Sequence, residues 1–404
     1  MEMTDRYYKK YDVEEQKAEL EYLCSGDAER FCRKKRQIRQ EACACLKSYA
    51  DRSAVGKIKK PQYNRWLNYA GDQSLLNQIE GIEKAFVPVR KKVSKEEYIE
   101  QFQQLFRLRN EFAGSAGFTD YLAYQYALLG IDGELLDGIL ETTARCHTAD
   151  AGKNTLREKI QKWKNAECLK QQNQIDLAKK VLEHFHLQVQ WDAVQIHHEG
   201  LPQFFIGNCI SISVPDESHV LINLVPGLSG FSILMHEIGH AYYYNHIRQD
   251  APEWAGPYSA VIEEFVALVF EDLVYSPQFL STFLGSDEDL LMDKLDYQTD
   301  YLCCCAWFEQ NIYRKDMPDL DAEWEAACEK YAVSKEMEWR SPHFFVSYPG
   351  FFAVDVMAGH FVKLFYEHVR DGRLKMDDFL QKQICEPGRQ LDFERVISQT
   401  LTNV

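Results

Sequence analysis

The sequence predicts a mainly α-helical protein with one small antiparallel β-sheet. Three observations lead there. Apolar residues recur at helical spacing through most of the 404 residues, with dense charge between them. Only between Val189 and Val225 does the pattern turn to β-branched and aromatic runs, punctuated by Gly, Pro, Asp and Ser. Immediately afterwards Phe231 to His246, "FSILMHEIGHAYYYNH", returns to a helical pattern. No internal repeat or low-complexity segment is present, and a composition 46% hydrophobic and 13% aromatic is that of a chain able to bury a sizeable core.

Taken in order, residues 10–50 read as helix, "PQYNRWLNYAGDQS" breaks the pattern, and "VPVRKKVS" reads as a connector. The expected division is a small helical N-terminal lobe over 1–93 and a catalytic domain over 94–404. Ser94 with Glu97 three residues on forms a capping box, and Tyr98, Phe102, Leu105 and Phe106 follow on one face. Gly114 and Gly117 end that helix. A further helix begins near Thr119, and others are expected around 134–147, 153–166 and 174–186. "VQWDAVQIHH", "QFFIGNCISISV" and "HVLINLV" supply three or four short strands, and helices resume after Gly230 to the end of the chain.

Bulk properties exclude several classes. The polar start "MEMTDRYYKKYD" lacks the apolar core of a secretory signal. The longest stretch without Asp, Glu, Lys or Arg, Ser218 to His236, contains Pro226, Gly227 and Gly230 and makes a poor membrane helix. A soluble, cytoplasmic protein is expected. The twelve cysteines show no disulfide framework; Cys303, Cys304 and Cys305 are consecutive and would diverge by about 100° each on a helix. They read as buried thiols in a reducing compartment. The net charge of −16 is uneven, with 21 basic and 17 acidic residues in the first hundred and 25 and 45 in the rest. The basic run "RFCRKKRQIRQ" lacks an aromatic platform and reads as a solvated helix face, so no nucleic-acid partner is expected.

The chemistry concentrates in His236-Glu237-Ile238-Gly239-His240. On a helix, histidines four apart leave one face a turn apart, so two imidazole nitrogens can bind one Zn²⁺. Glu237, about 100° round the helix, can hold a metal-bound water and take its proton. Gly239 keeps the helix slim. A catalytic zinc needs a third protein ligand and an open position. In "PYSAVIEEFVALVFED" Glu263 and Glu264 compete for that place. Glu264 has the small Ala260 and Ala267 on its face, which allow a close helix approach, whereas Glu263 has Ser259, Val266 and Phe270. The ligand set is therefore His236, His240 and Glu264, with Glu271, two turns on, a candidate to orient a ligand from behind.

With those residues in hand the chain resembles the family of thimet oligopeptidase and oligoendopeptidase F, in which a glutamate lies about 24 or 25 residues beyond the second histidine. "LFRLRNEFAGSAGFTDYLAY", "FEQNIY" and "PHFFVSYPGFFAVDVMAGHF" resemble further segments of that family, so the likeness covers roughly residues 95–404. The resemblance implies a zincin-like helical metallopeptidase holding one Zn²⁺ per chain. It implies an oligopeptidase acting on short peptides, with Glu237 as base. It also implies His343 and Tyr348 as hydrogen-bond donors to the oxyanion of the reacting carbonyl. Two features depart from the family: the N-terminal part is short, and Phe351, Phe352 and Val356 stand where tyrosines are expected. Substrate is expected to add to an edge offered by "HVLINLV". A zinc carboxypeptidase or aminopeptidase, and a catalytically silent peptide-binding descendant, are the alternatives.

Overall fold

The computed structural model describes residues 2–50, 71–145, 153–248, 259–315 and 318–388, with Leu391 and Val396. Most of "PQYNRWLNYAGDQS", the end of the helix expected over 134–147, and most of the helix expected at the C-terminus lie outside the described residues. The helices in chain order are α1 (Glu2–Ser25), α2 (Ala28–Ala50), α3 (Gln73–Phe86), α4 (Lys95–Ser115), α5 (Tyr121–Leu129), α6 (Gly133–Arg145), α7 (Lys153–Gln161) and α8 (Gln171–His184). After strands β1 (Val194–His197), β2 (Gly207–Ser213) and β3 (Glu217–Ile222) come α9 (Leu228–His246), α10 (Ala260–Leu273), α11 (Pro277–Leu284) and α12 (Leu291–Arg314). Helices α13 (Leu320–Lys330), α14 (Phe344–Ser347), α15 (Phe351–Arg370) and α16 (Met376–Asp378) follow, and a π-helical stretch spans Phe379–Cys385. Contacts gather into two compact units, Met1–His147 with Asp300–Val356, and Thr148–Thr299 with Met357–Val404.

In the first unit, α1 and α2 form a hairpin through Gly26, which adopts a left-handed φ of 72°. The basic run of α2 is neutralised within the unit: Arg30 and Lys34 pair with Glu21, Lys35 with Glu15 at 2.8 Å, and Arg39 with Glu80 of α3. Ser94 caps α4 by accepting from the Glu97 amide at 3.1 Å, as its spacing predicts. Arg109 of α4 is fully buried. Its guanidinium donates to the carbonyl oxygens of Phe345, at 3.0 Å, and Val346, and pairs with Glu83 at 2.7 Å. Glu309 accepts from the Gly350 amide at 3.0 Å. Two of the segments that carry the family likeness thus hold the backbone of the third. The consecutive cysteines Cys303, Cys304 and Cys305 are buried, and all nine described cysteines are free.

In the second unit, α9 is buried on nearly all sides, which its run of apolar residues requires. The sheet packs on it in the order β1-β3-β2. The expected small sheet is present, but it is mixed rather than antiparallel. β2 and β3 form an antiparallel hairpin over three linking residues, whereas β1 lies parallel to β3. The longer link 198–206 is what lets the chain cross from β1 to β2 past β3. This order also corrects the expected substrate edge. "HVLINLV" forms the central strand, paired on both sides, so it offers no edge. His219 on this strand is buried, 2.9 Å from His197 and 3.1 Å from Glu217. Among the described residues, β2 is an edge strand beside α9.

Helix α10 crosses α9 at a point set by glycine. A Cβ placed on Gly239 would stand 2.8 Å from Ala267 Cα and 3.0 Å from Phe270 Cβ. Gly81 and Gly138 also lie within helices, yet a Cβ there would meet nothing within 4 Å. Gly239→Ala should therefore cost about 1–3 kcal/mol through overpacking. Gly81→Ala and Gly138→Ala should stabilise by about 0.5–1 kcal/mol through helix propensity. Urea melting of the three variants checks this; equal effects at 239 and 81 would contradict the close crossing.

Glu309 supplies a pH test. Burial pushes its carboxyl up to about 8, against the lowering effects of the Gly350 amide and Arg109. A raised folded-state pKa means stability that is complete below the ordinary value of 4.5 and lost as pH rises through 8. Glu309→Gln keeps an acceptor oxygen and cannot ionise. It should melt with the wild type at pH 5 and above it at pH 9, and a gap that does not change with pH would count against the assignment.

Candidate metal centre

The three side chains singled out as ligands converge in the second unit. His236 and His240 leave one face of α9, and Glu264 reaches them from α10. One potential ligand atom from each of the three lies within 4.8 Å of the others. The two Nε2 atoms are 3.2 Å apart, His236 Nε2 is 3.4 Å from Glu264 Oε2, and His240 Nε2 is 3.5 Å from Glu264 Oε1. Tetrahedral ligands held at the 2.0–2.1 Å typical of Zn–N and Zn–O bonds lie about 3.3 Å from one another. The separations therefore fit a zinc-sized cation with three protein ligands. Glu263, the competing candidate, points elsewhere: its Oε2 accepts from the Tyr244 hydroxyl at 2.6 Å. The roughly 100° between neighbours on a helix separates the two carboxylates.

Both imidazoles are held from behind, in different ways. His236 Nδ1 lies 3.0 Å from Glu271 Oε2. A proton on Nδ1 satisfies that carboxylate and leaves the Nε2 lone pair facing His240 and Glu264, the tautomer a metal needs. His240 Nδ1 is buried and has no hydrogen-bond partner among the described residues, and the ring is oriented by stacking on Tyr244, 6.4 Å away at 16°. Burial pushes His240 down to about 4 despite the nearby Glu264, so its imidazole is neutral at physiological pH. Burial alone would lower His236 too, but hydrogen bonds that its ring donates to Glu264 and Glu271 outweigh it and, with no cation bound, hold His236 well above its ordinary range. Burial would raise Glu271; Lys294 and His236 reverse that and bring it to about 2.

Glu237 is buried on α9 against the start of β2. A Cβ on Gly207 would stand 2.5 Å from Glu237 Oε1 and 2.8 Å from its Cγ. The edge strand can lie this close to the carboxylate only because residue 207 lacks a side chain. Burial pushes Glu237 up to about 8; His236 opposes the rise, and Glu264 and Glu271 add to it. A divalent cation would be the largest charge in the site and would draw that value back toward neutrality. A carboxyl poised there can both accept and return a proton.

His343 and Tyr348 belong to the first unit and flank α14. His343 Nδ1 is 3.3 Å from Ser347 Oγ, and Tyr348 is 38% exposed. Burial, with Arg90, Lys91 and Lys84 adding to it, lowers His343 to about 4, so it offers a neutral imidazole. His246 turns back on its own helix, with Nδ1 2.8 Å from Tyr242 O.

Sequence reading missed Gly207 and Lys294. Gly207 meets Glu237 across a separation of 30 positions and Lys294 meets Glu271 across 23, so no local spacing could mark them. Gly207→Ala should displace Glu237 while leaving His236, His240 and Glu264 in place. It is expected to lower turnover about 10- to 100-fold, as for loss of a supporting contact, with zinc content unchanged. Wild-type turnover in that variant would show the contact to be incidental.

No protein-family model matches the sequence, and no curated protein matches it. Among solved structures, the chain is similar to PZ peptidase A, with a TM-score of 0.71 at 14% identity over 98% of this chain and 87% of the other. It is similar to a Bacillus anthracis protein assigned as oligoendopeptidase F, with a TM-score of 0.67 at 13% identity over 94% and 83%. It is also similar to BsuCP, with a TM-score of 0.67 at 12% identity over 100% and 95%. At these identities the likeness establishes the architecture: the chain has the mainly helical fold of these solved structures.

Proposed function

We propose that this protein is a zinc metallopeptidase that cleaves peptide bonds in short peptides, holding one Zn²⁺ on His236, His240 and Glu264. The observation that carries the reading is the convergence of those three side chains, with one ligand atom from each within 4.8 Å of the others, in a chain whose fold is that of solved peptidases. When bound, a divalent cation at such a site polarises a carbonyl and acidifies water. Glu237 takes the proton from the attacking water and passes it to the leaving amine, work suited to a carboxyl shielded from solvent by its packing against Gly207. Glu271 keeps His236 in the ligand tautomer. His343 and Tyr348 take the role the sequence resemblance implies, donating hydrogen bonds to the developing oxyanion. The edge of β2 is the place for an extended peptide to add by backbone pairing.

A cytoplasmic location is part of this proposal. The described cysteines are free, the basic run of α2 is paired with acids of its own unit, and no described helix is long and apolar enough to cross a membrane. A catalytically silent descendant would have no need to keep residue 207 open for Glu237.

A quenched peptide library blocked at both ends tests the assignment, because an exopeptidase leaves such peptides intact. Cleavage is expected, and it should stop on chelation and return with zinc. Glu237→Gln should retain one zinc per chain and lose nearly all turnover. His343→Phe and Tyr348→Phe should retain zinc and lose on the order of 10²–10³ in kcat, the usual effect of removing one oxyanion donor. Wild-type rates in Glu237→Gln would refute the base.

A further inference from the structure

Behind the proposed metal ligands lies a largely enclosed cation on a third helix. Lys294, in the first turn of α12, sends its ammonium to Glu271 Oε1 and Asp272 Oδ1, each at 3.2 Å, and to the side-chain oxygen of Gln298. The ammonium also lies 5.3 Å from the centre of the Tyr275 ring. Tyr275 in turn donates its hydroxyl to Ser232 at 3.2 Å, one turn before His236 on α9.

The chemistry of α10 explains why a cation is needed. Glu271 and Asp272 are adjacent carboxylates in the last turn of that helix, at the negative end of its dipole, and Asp272 is almost fully buried. Two buried anions there repel each other and the helix end, and each needs a partner. Glu271 has two oxygens and two duties. Oε2 faces His236 Nδ1 at 3.0 Å, and Oε1 faces Lys294. Among the described residues Lys294 is the hydrogen-bond partner of Oε1, so its loss frees one end of the carboxylate and exposes it to repulsion from the adjoining Asp272.

We propose that Lys294 is a positioning residue for the metal centre: it orients Glu271, and through Glu271 it sets the tautomer and direction of His236. The inference rests on the metal reading above, and it extends the site from two helices to three. Asp272 and Tyr275 form the cradle that locates the ammonium. Lys294 itself touches neither substrate nor metal.

The test measures metal affinity rather than peptide cleavage. Zn²⁺ binding is titrated against a chromogenic chelator in the full-length protein, and the visible spectrum of the Co²⁺-loaded protein reports coordination geometry. Lys294→Met should weaken Zn²⁺ binding about 10- to 100-fold, the usual effect of losing an outer partner of a ligand, and should alter the Co²⁺ bands. Lys294→Arg, which restores a cation, should recover most of the affinity. In a Glu271→Gln background, Lys294→Met should bring little further loss, because both act on one imidazole. If Lys294→Met fails to fold, Lys294→Gln, which keeps a donor without the charge, takes its place in each comparison.

Wild-type affinity and spectrum in the uncharged variants would overturn the proposal, as would losses that add fully to those of Glu271→Gln. If the wild-type chain itself binds no zinc, the metal reading fails, and the positioning role fails with it. A zinc-binding wild type with a silent Lys294 removes the positioning role alone.

Discussion

The close crossing of two helices is the constraint on which the rest depends. Glu264 can meet His236 and His240 only if α10 comes nearly into backbone contact with α9, and Gly239 against Ala267 is where it does so. A larger residue at either position would move the carboxylate away from a point it must reach within a few tenths of an ångström. Close packing of the kind seen in protein interiors makes such a position rigid, and rigidity is what a coordination site requires. The buried apolar faces of α9 and α10 supply the cohesion, and the small residues set the distance.

Around that crossing the polar groups are arranged in successive tiers. The ligand nitrogens and the Glu264 carboxylate face a common centre. Glu271 stands behind one histidine and the Tyr244 ring behind the other. Lys294 stands behind Glu271 and keeps two neighbouring carboxylates from repelling each other. Glu237 is separate from this scaffold. It is held between α9 and the glycine that opens β2, so the proposed base is positioned by the element that, among the described residues, also presents a strand edge. The same economy recurs in the first unit, where Arg109 and Glu309 grip the backbone around the segment bearing His343 and Tyr348.

How much of this was legible in the sequence follows from the range of each interaction. Local signals read well. Ser94 caps α4 because its side chain reaches an amide three residues on, and His236 and His240 share a face because helical geometry leaves no other choice. Glu264 was separable from Glu263 by the small residues flanking it, a local cue to a tertiary contact. Interactions that close only on folding were hidden. The central place of β3 depends on a crossover that alternation cannot reveal, and the packing of His219 against His197 closes only when β1 joins β3. Nothing local to Lys294 marks it, because its partners are acids of α10 more than 20 positions away.

The central claim is that one metal ion sits at the meeting point of α9 and α10. Crystals soaked in zinc and measured at the zinc absorption edge address it directly. The account predicts one strong anomalous peak about 2.0–2.2 Å from His236 Nε2, His240 Nε2 and a Glu264 carboxylate oxygen. An anomalous map with no peak between those three side chains, or with zinc held elsewhere in the chain, would contradict it.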